Sequence, residues 1–225
     1  MDIYVRMATK NLAPAEQAKM QEFTEKKAYD SLRTFWTTRR RPDLAALMAE
    51  RKALATGDAA DFFDAGNRYY NSVRFTRDES EVPVLFQSAI RSYKAGLEKD
   101  PSNADARIML ASSYVEGSQQ PMEGIRILQE VEKTDSNNVK LQLSFAFFSV
   151  KSGQLDKAEK RFRNVLQIDS TYLEAWLHLA DLYEQRGQSD STIAMLSRYA
   201  SQTDDITAKL EVTRYIDQLK NKKTN

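Results

Sequence analysis

The sequence predicts an all-α chain, an α-α superhelix in which helical hairpins lie side by side as a right-handed solenoid. Three observations carry this. Glycine (7) and proline (5) are scarce among 225 residues, which favours long helices over many short strands. Apolar residues recur at helical spacing. The pattern also repeats at one length: Gly153 and Gly187 lie 34 residues apart, as do Ala146 and Ala180, and Phe162 and Leu196. An ordinary amphipathic bundle would share the helical spacing. It would not keep small residues in register at a constant repeat.

Residues 1–58 are expected to form N-terminal helices, a degenerate copy of the hairpin. Pro14 suits a helix start. Phe23, Leu32, Phe35 and Trp36 mark an apolar stripe, which Arg39-Arg40-Arg41-Pro42 breaks. Leu44, Leu47, Met48 and Leu54 mark a second short helix, closed by Gly57. Four full units follow over 59–206, divided as 59–103, 104–138, 139–172 and 173–206. The first carries ~11 extra residues between its helices. That insertion, Tyr70 to Val84, reads either as a surface loop or as a lip that helps grip a ligand. Pro83 is expected to open the next helix. Residues 207–225 are expected to form a capping helix over Ala208 to Leu219, which a solenoid needs, and a frayed polar tail from Asn221.

Elementary packing accounts for the repeat. Small residues mark the close approach of paired helices: Gly66, Ala111, Ala146 and Ala180 on first helices, Ala89, Gly124 and Ala158 on second helices. Large apolar residues such as Tyr69, Tyr114, Tyr183 and Phe162 fill the space between. Each hairpin leaves a face uncovered and so needs a neighbour. Gly153 and Gly187 suit helix ends that require a left-handed residue.

These residues resemble the tetratricopeptide-repeat (TPR) family over roughly residues 59–206. Trp176, Leu179, Ala180 and Tyr183, and likewise Phe62, Ala65, Gly66 and Tyr69, match the family's first-helix pattern. Ala89 with Tyr93 and Ala158 with Phe162 match the second helix, and Asp100-Pro101 matches the terminator. Ser136 and Ser170 depart from the usual Pro, and Thr192 from the usual Ala. The resemblance implies a non-catalytic scaffold or assembly adaptor that binds a protein or peptide partner. Many bacterial proteins of this sort sit in the cell envelope behind an N-terminal anchor.

Within that frame the first helix of each unit lines a concave wall. The expected protein-binding positions are Phe63, Asn67 and Tyr70, then Ile108, Met109 and Val115, then Lys140, Leu143, Phe147 and Val150, then Leu177, His178 and Asp181. The middle of this set is apolar, and an exposed apolar patch marks a partner site. Two occupants stay open: a partner peptide or helix, or the chain's own N-terminal helix or a second copy, which would make the chain a structural subunit of a homo-oligomer or larger complex. One TPR subtype clamps a C-terminal carboxylate with Lys, Asn and Arg. Asn67 and Lys140 match it, but Phe63, Met109 and Ser144 do not, so no such clamp is expected.

Composition excludes several alternatives. A net charge of +1 supplies no field for nucleic acid, and Arg39-Arg40-Arg41 alone is a weak electrostatic footprint. With no cysteine and one histidine, His178, neither a thiolate metal site nor a cysteine nucleophile can be built, and no cofactor is expected. No nucleophile elbow or phosphate loop occurs, so the chain is not expected to be an enzyme. No run of ~18 apolar residues is present to span a membrane. Residues 1–10 lack the apolar region of a signal peptide. The chain as given reads as cytoplasmic, or as periplasmic and N-terminally anchored if a leader or anchor precedes it.

Overall fold

The structure, a computed structural model, describes residues 3–10 and 12–224, without the side chains of Ile3, Tyr4, Lys223 and Thr224. The expectations about a signal peptide and a polar tail therefore rest partly on Met1, Asp2 and Asn225, which lie outside the described residues. Among the described residues there is no strand. The helices are α1 (Ile3–Thr9), α2 (Pro14–Glu25), α3 (Tyr29–Thr38), α4 (Pro42–Thr56), α5 (Ala59–Ser72), α6 (Val82–Lys99), α7 (Ala104–Gly117), α8 (Pro121–Thr134), α9 (Val139–Lys151), α10 (Leu155–Ile168), α11 (Glu174–Gln185), α12 (Ser189–Gln202) and α13 (Ile206–Thr224). No helix is long and apolar enough to cross a membrane among the described residues.

Local chemistry sets most of these boundaries. Pro14, Pro42, Pro83 and Pro121 fall in the first turns of α2, α4, α6 and α8, where a missing N–H leaves no bond unmade. Asn103 and Asn138 cap α7 and α9: their side-chain oxygens accept from the Ala106 and Leu141 amides at 2.9 and 3.1 Å. Between hairpins, Asp100, Asp135 and Asp169 each take hydrogen bonds from the turn that follows, from Ser102 and Asn103, from Asn138, and from Thr171. Gly153 and Gly187 close α9 and α11 with φ of 71° and 70°. That left-handed conformation is inexpensive only without a Cβ.

Two compact units emerge, residues 1–130 and 131–225. In the first, α3 packs on α4, α4 on α5, α5 on α6 and α6 on α7, and α5 also touches α7. The N-terminal helices belong to this unit's core. Val5 of α1 and Met20 of α2 are buried with Leu32, Phe35, Trp36, Leu44 and Met48. Glu16 on α2 accepts the Ala13 amide at 3.0 Å and pairs with Arg39, whose guanidinium lies 3.6 Å from the Phe35 ring centre. Helices α7 and α8 approach closely at Gly124, where a Cβ would sit 2.4 Å from the Ala111 carbonyl oxygen.

In the second unit α9 packs on α10, α10 on α11, α11 on α12 and α12 on α13. One core holds Ala146, Ala158, Phe162, Leu179, Leu182 and Tyr183. A second holds Ala180, Leu196 and Ile216, with Val212 and Leu219 of α13 against it, so α13 covers the apolar face that the last hairpin would otherwise expose. Burying a side chain of Phe162's size contributes roughly 2–3 kcal/mol.

The fold departs from expectation in five places. The stripe from Phe23 to Trp36 is two helices, because the chain turns at Lys27 (φ 51°) and the Ala28 amide bonds back to the Phe23 carbonyl at 2.8 Å. Leu54 is 70% exposed rather than part of the α4 core. Helix α1 was not foreseen. The insertion after Tyr70 is largely absorbed: α5 continues to Ser72, and two short 3₁₀ turns, Val73–Phe75 and Glu79–Glu81, lead into α6. The expected frayed tail is helical through Thr224.

Candidate protein-binding surface

Within the first unit, packing has claimed most of the residues expected to line a groove. Phe63 lies against α6, its ring filling the space beside Gly96, where a Cβ would come within 2.4 Å of it. Asn67 accepts the Tyr93 hydroxyl at 2.7 Å. The Tyr70 ring meets Phe86 edge-on at 5.7 Å, and its hydroxyl donates to Glu116 on α7. Ile108 is 1% exposed and presents nothing to a ligand. Val115 packs at Gly124 on α8. Met109 is half-buried. Phe63 and Val115 fill gaps where glycines leave room, Tyr70 and Ile108 are taken up by packing between helices, and Asn67 stays exposed while it accepts the Tyr93 hydroxyl.

Within the second unit the outcome divides. Leu143 and Val150 of α9 are half-buried against the Ala146–Phe162–Leu179 core, and Leu177 of α11 against the core shared with α13. These three are packing residues first. Lys140 is exposed at the start of α9. Phe147 is different, because 43% of it remains exposed.

Phe147, His178 and Phe162 form one aromatic cluster from three helices. The Phe147 ring meets Phe162 at 5.5 Å and His178 at 5.0 Å, both near perpendicular, and His178 stacks on Phe162 at 4.9 Å with 23° between planes. Such pairs contribute about 0.5–1.5 kcal/mol beyond their area. Phe162, 1% exposed, is the floor on which the other two rest. Burial pushes the His178 imidazole below its usual range, against the upward pull of Asp181 and Glu174. Burial also pushes the Asp181 carboxyl up, with His178 opposing and Glu184 adding to the rise.

Other polar groups of this unit are already engaged. Glu159 accepts the Tyr183 hydroxyl at 2.6 Å, Arg186 at 2.7 Å and Arg163 at 3.0 Å. Burial alone would raise the Glu159 carboxyl, but these three donors hold it down at about 2. Arg186 also pairs with Asp156 at 2.7 Å, and Arg161 with Glu132. The Tyr215 hydroxyl of α13 donates to Glu184. This tethers the capping helix to α11, a link that sequence patterning did not reveal. Phe162 was legible only as core; its part under His178 became visible with the packing. In the first unit the arginine cluster is likewise occupied, Arg39 by Glu16 and Arg41 by Asp43. Among the described residues no group of three or more His, Asp or Glu is placed to hold a metal ion.

Residues 149–210 match the tetratricopeptide-repeat family model. No curated protein matches the chain. Similar folds occur among solved structures. PilW, described as a widely conserved type IV pilus biogenesis factor, is 15% identical, with 93% of this chain and 88% of that chain covered and a TM-score of 0.60. A thermophilic TPR protein of Thermus thermophilus is 18% identical, covering 82% and 95%, with a TM-score of 0.58. YrrB, described as a TPR protein with an unusual peptide-binding site, is 19% identical, covering 88% and 99%, with a TM-score of 0.50. At these identities the likeness is one of fold. Residues 149–210 thus match the tetratricopeptide-repeat family, and the small residues in register, the glycine-closed first helices and the shared fold make the chain similar to proteins of that kind.

Proposed function

We propose that the chain is a non-catalytic protein-interaction scaffold, and that its partner peptide or helix docks on α9 and α11 around Phe147. The observation that carries this is a large aromatic ring left 43% exposed on a rigid floor of Phe162 and His178. An isolated exposed apolar residue needs no explanation. One braced by two aromatic neighbours has the pre-ordered geometry of a binding anchor, whose ordering cost is already met. The peptide-binding site named for YrrB and the role in type IV pilus biogenesis named for PilW are in keeping with such a use of this fold.

The repeats that present this surface are taken as 59–103, 104–138, 139–172 and 173–206, flanked by 1–58 and 207–225. The rival in which the chain's own N-terminal helix fills the surface is disfavoured, because α1 and α2 are spent on α3 and α4 in their own unit. A second copy of the chain is kept as an outcome of the test.

The test is Phe147→Ala. Truncating a half-exposed ring should cost the fold about 1 kcal/mol. A random peptide library displayed on phage and panned on the whole chain should yield binders, and their affinity should fall at least roughly tenfold for the variant, as for a central anchor. A large fall in melting temperature with unchanged peptide affinity would assign Phe147 to internal packing. Light scattering that reports a dimer for the parent and a monomer for the variant would assign the surface to self-association.

A further inference from the structure

We propose that the partner of this surface presents a cationic side chain, arginine before lysine, beside an apolar residue, with the cation lying on the Phe147 ring and pairing with Asp181. This deepens the docking surface proposed above and rests on it.

Three observations converge. First, the exposed Phe147 ring touches His178, and His178 stands on α11 between Glu174, four residues before it, and Asp181, three residues after. Residues so spaced share a helix face, so the aromatic anchor borders two carboxylates. Second, these carboxylates lack a cation. Among the described residues no Lys or Arg lies within ion-pair distance of Glu174 or Asp181. The contrast with the rest of the unit is sharp: Glu159 has Arg163 and Arg186, Asp156 has Arg186, and Glu132 has Arg161. Burial raises the Asp181 carboxyl with only His178 opposing, a cost that a guest cation would offset. Third, the chain itself uses the interaction inferred for the guest. The Arg39 guanidinium lies 3.6 Å from the Phe35 ring centre, and that of Arg161 lies 4.3 Å from the Phe145 ring centre.

Geometry favours arginine. Its planar guanidinium can stack on a ring and still donate edge-on to a carboxylate, whereas an ammonium group offers only a point charge. The other charges nearby restrict the guest further. Lys151 lies one turn beyond Phe147 on α9 and is exposed, so a second cation toward that end is repelled. Glu184 is held by Tyr215 and competes less for the guest.

The test uses the displayed random peptide library on the whole chain, its Asp181→Asn variant and its Phe147→Ala variant. Asp181→Asn should fold as the parent does, because it removes a charge that has no partner. Peptides selected on the parent are expected to carry Arg or Lys next to an aliphatic or aromatic residue. Their affinity is expected to fall about tenfold on Asp181→Asn, the scale of one partly desolvated ion pair, and a peptide with Gln in place of the Arg should bind parent and variant alike. Selected peptides that depend on Phe147 but are acidic or uncharged would overturn the cation assignment and leave the docking surface standing. Failure to select any Phe147-dependent peptide would overturn both.

Discussion

Phe162 and Phe147 touch each other at 5.5 Å yet should respond oppositely to truncation. Phe162 is fully buried under Ala146, Ala158 and Leu179, so Phe162→Ala should cost about 3–5 kcal/mol in urea unfolding. Phe147→Ala should cost about 1 kcal/mol, since much of that ring is already in water. Glu159 supplies a pH-dependent contribution. Its carboxyl sits at about 2 in the fold against 4.5 for an unperturbed glutamate. The folded state thus binds fewer protons than the unfolded state between those values. The resulting stability is present in full above about pH 4.5 and is lost as pH falls toward 2. Glu159→Gln should therefore destabilise the chain by about 1–3 kcal/mol at pH 7, and the gap to the parent should narrow at pH 3. A gap that is constant across that range would mean the charge plays no part. At this scale the sequence was informative about small and large core residues and poor about the groove. Periodicity places Phe63, Ile108 and Val115 on a helix, but it does not fix the phase finely enough to separate a side chain wedged beside Gly96 or Gly124 from one facing solvent.

Helix boundaries rest on recurring devices, and each can be removed singly. Asn138→Ala deletes the cap on α9 and its bond to the Asp135 carboxylate, and should cost about 0.5–2 kcal/mol with faster amide exchange in the first turn of α9. Gly124→Ala places a methyl 2.4 Å from the Ala111 carbonyl, and should cost about 1–3 kcal/mol unless α7 and α8 separate. Elements opened by proline or closed by glycine were legible in advance, because those residues restrict or permit backbone conformation on their own. The break between α2 and α3 was not, because its left-handed residue is Lys27, which carries no such signature. The 3₁₀ turns after α5 were hidden for a related reason: Arg74, Glu79 and Glu81 read as loop residues, while their turns depend on local hydrogen bonds such as that from the Ser80 amide to Asp78.

Within each unit, helices touch mainly their neighbours in sequence, with α5 and α7 as a next-neighbour pair in the first. Such arrays are stabilised by a sum of local terms. Phe162→Ala should accordingly speed amide exchange in α9–α12 while leaving α3–α6 near their parent rates; equal acceleration everywhere would indicate a single cooperative core. The repeat length was readable at this scale because the same small residues return in register. The site was less so, because its central feature, an aromatic ring braced by His178 and bordered by carboxylates, depends on how the side chains of α9, α10 and α11 pack on one another. The most direct measurement is amide hydrogen exchange of the whole chain with and without a peptide selected from the displayed library. The expected result is new protection concentrated in α9 and α11 and abolished by Phe147→Ala. Protection lying instead on α10 and α12, or on α1–α6, would contradict the assignment of the binding surface.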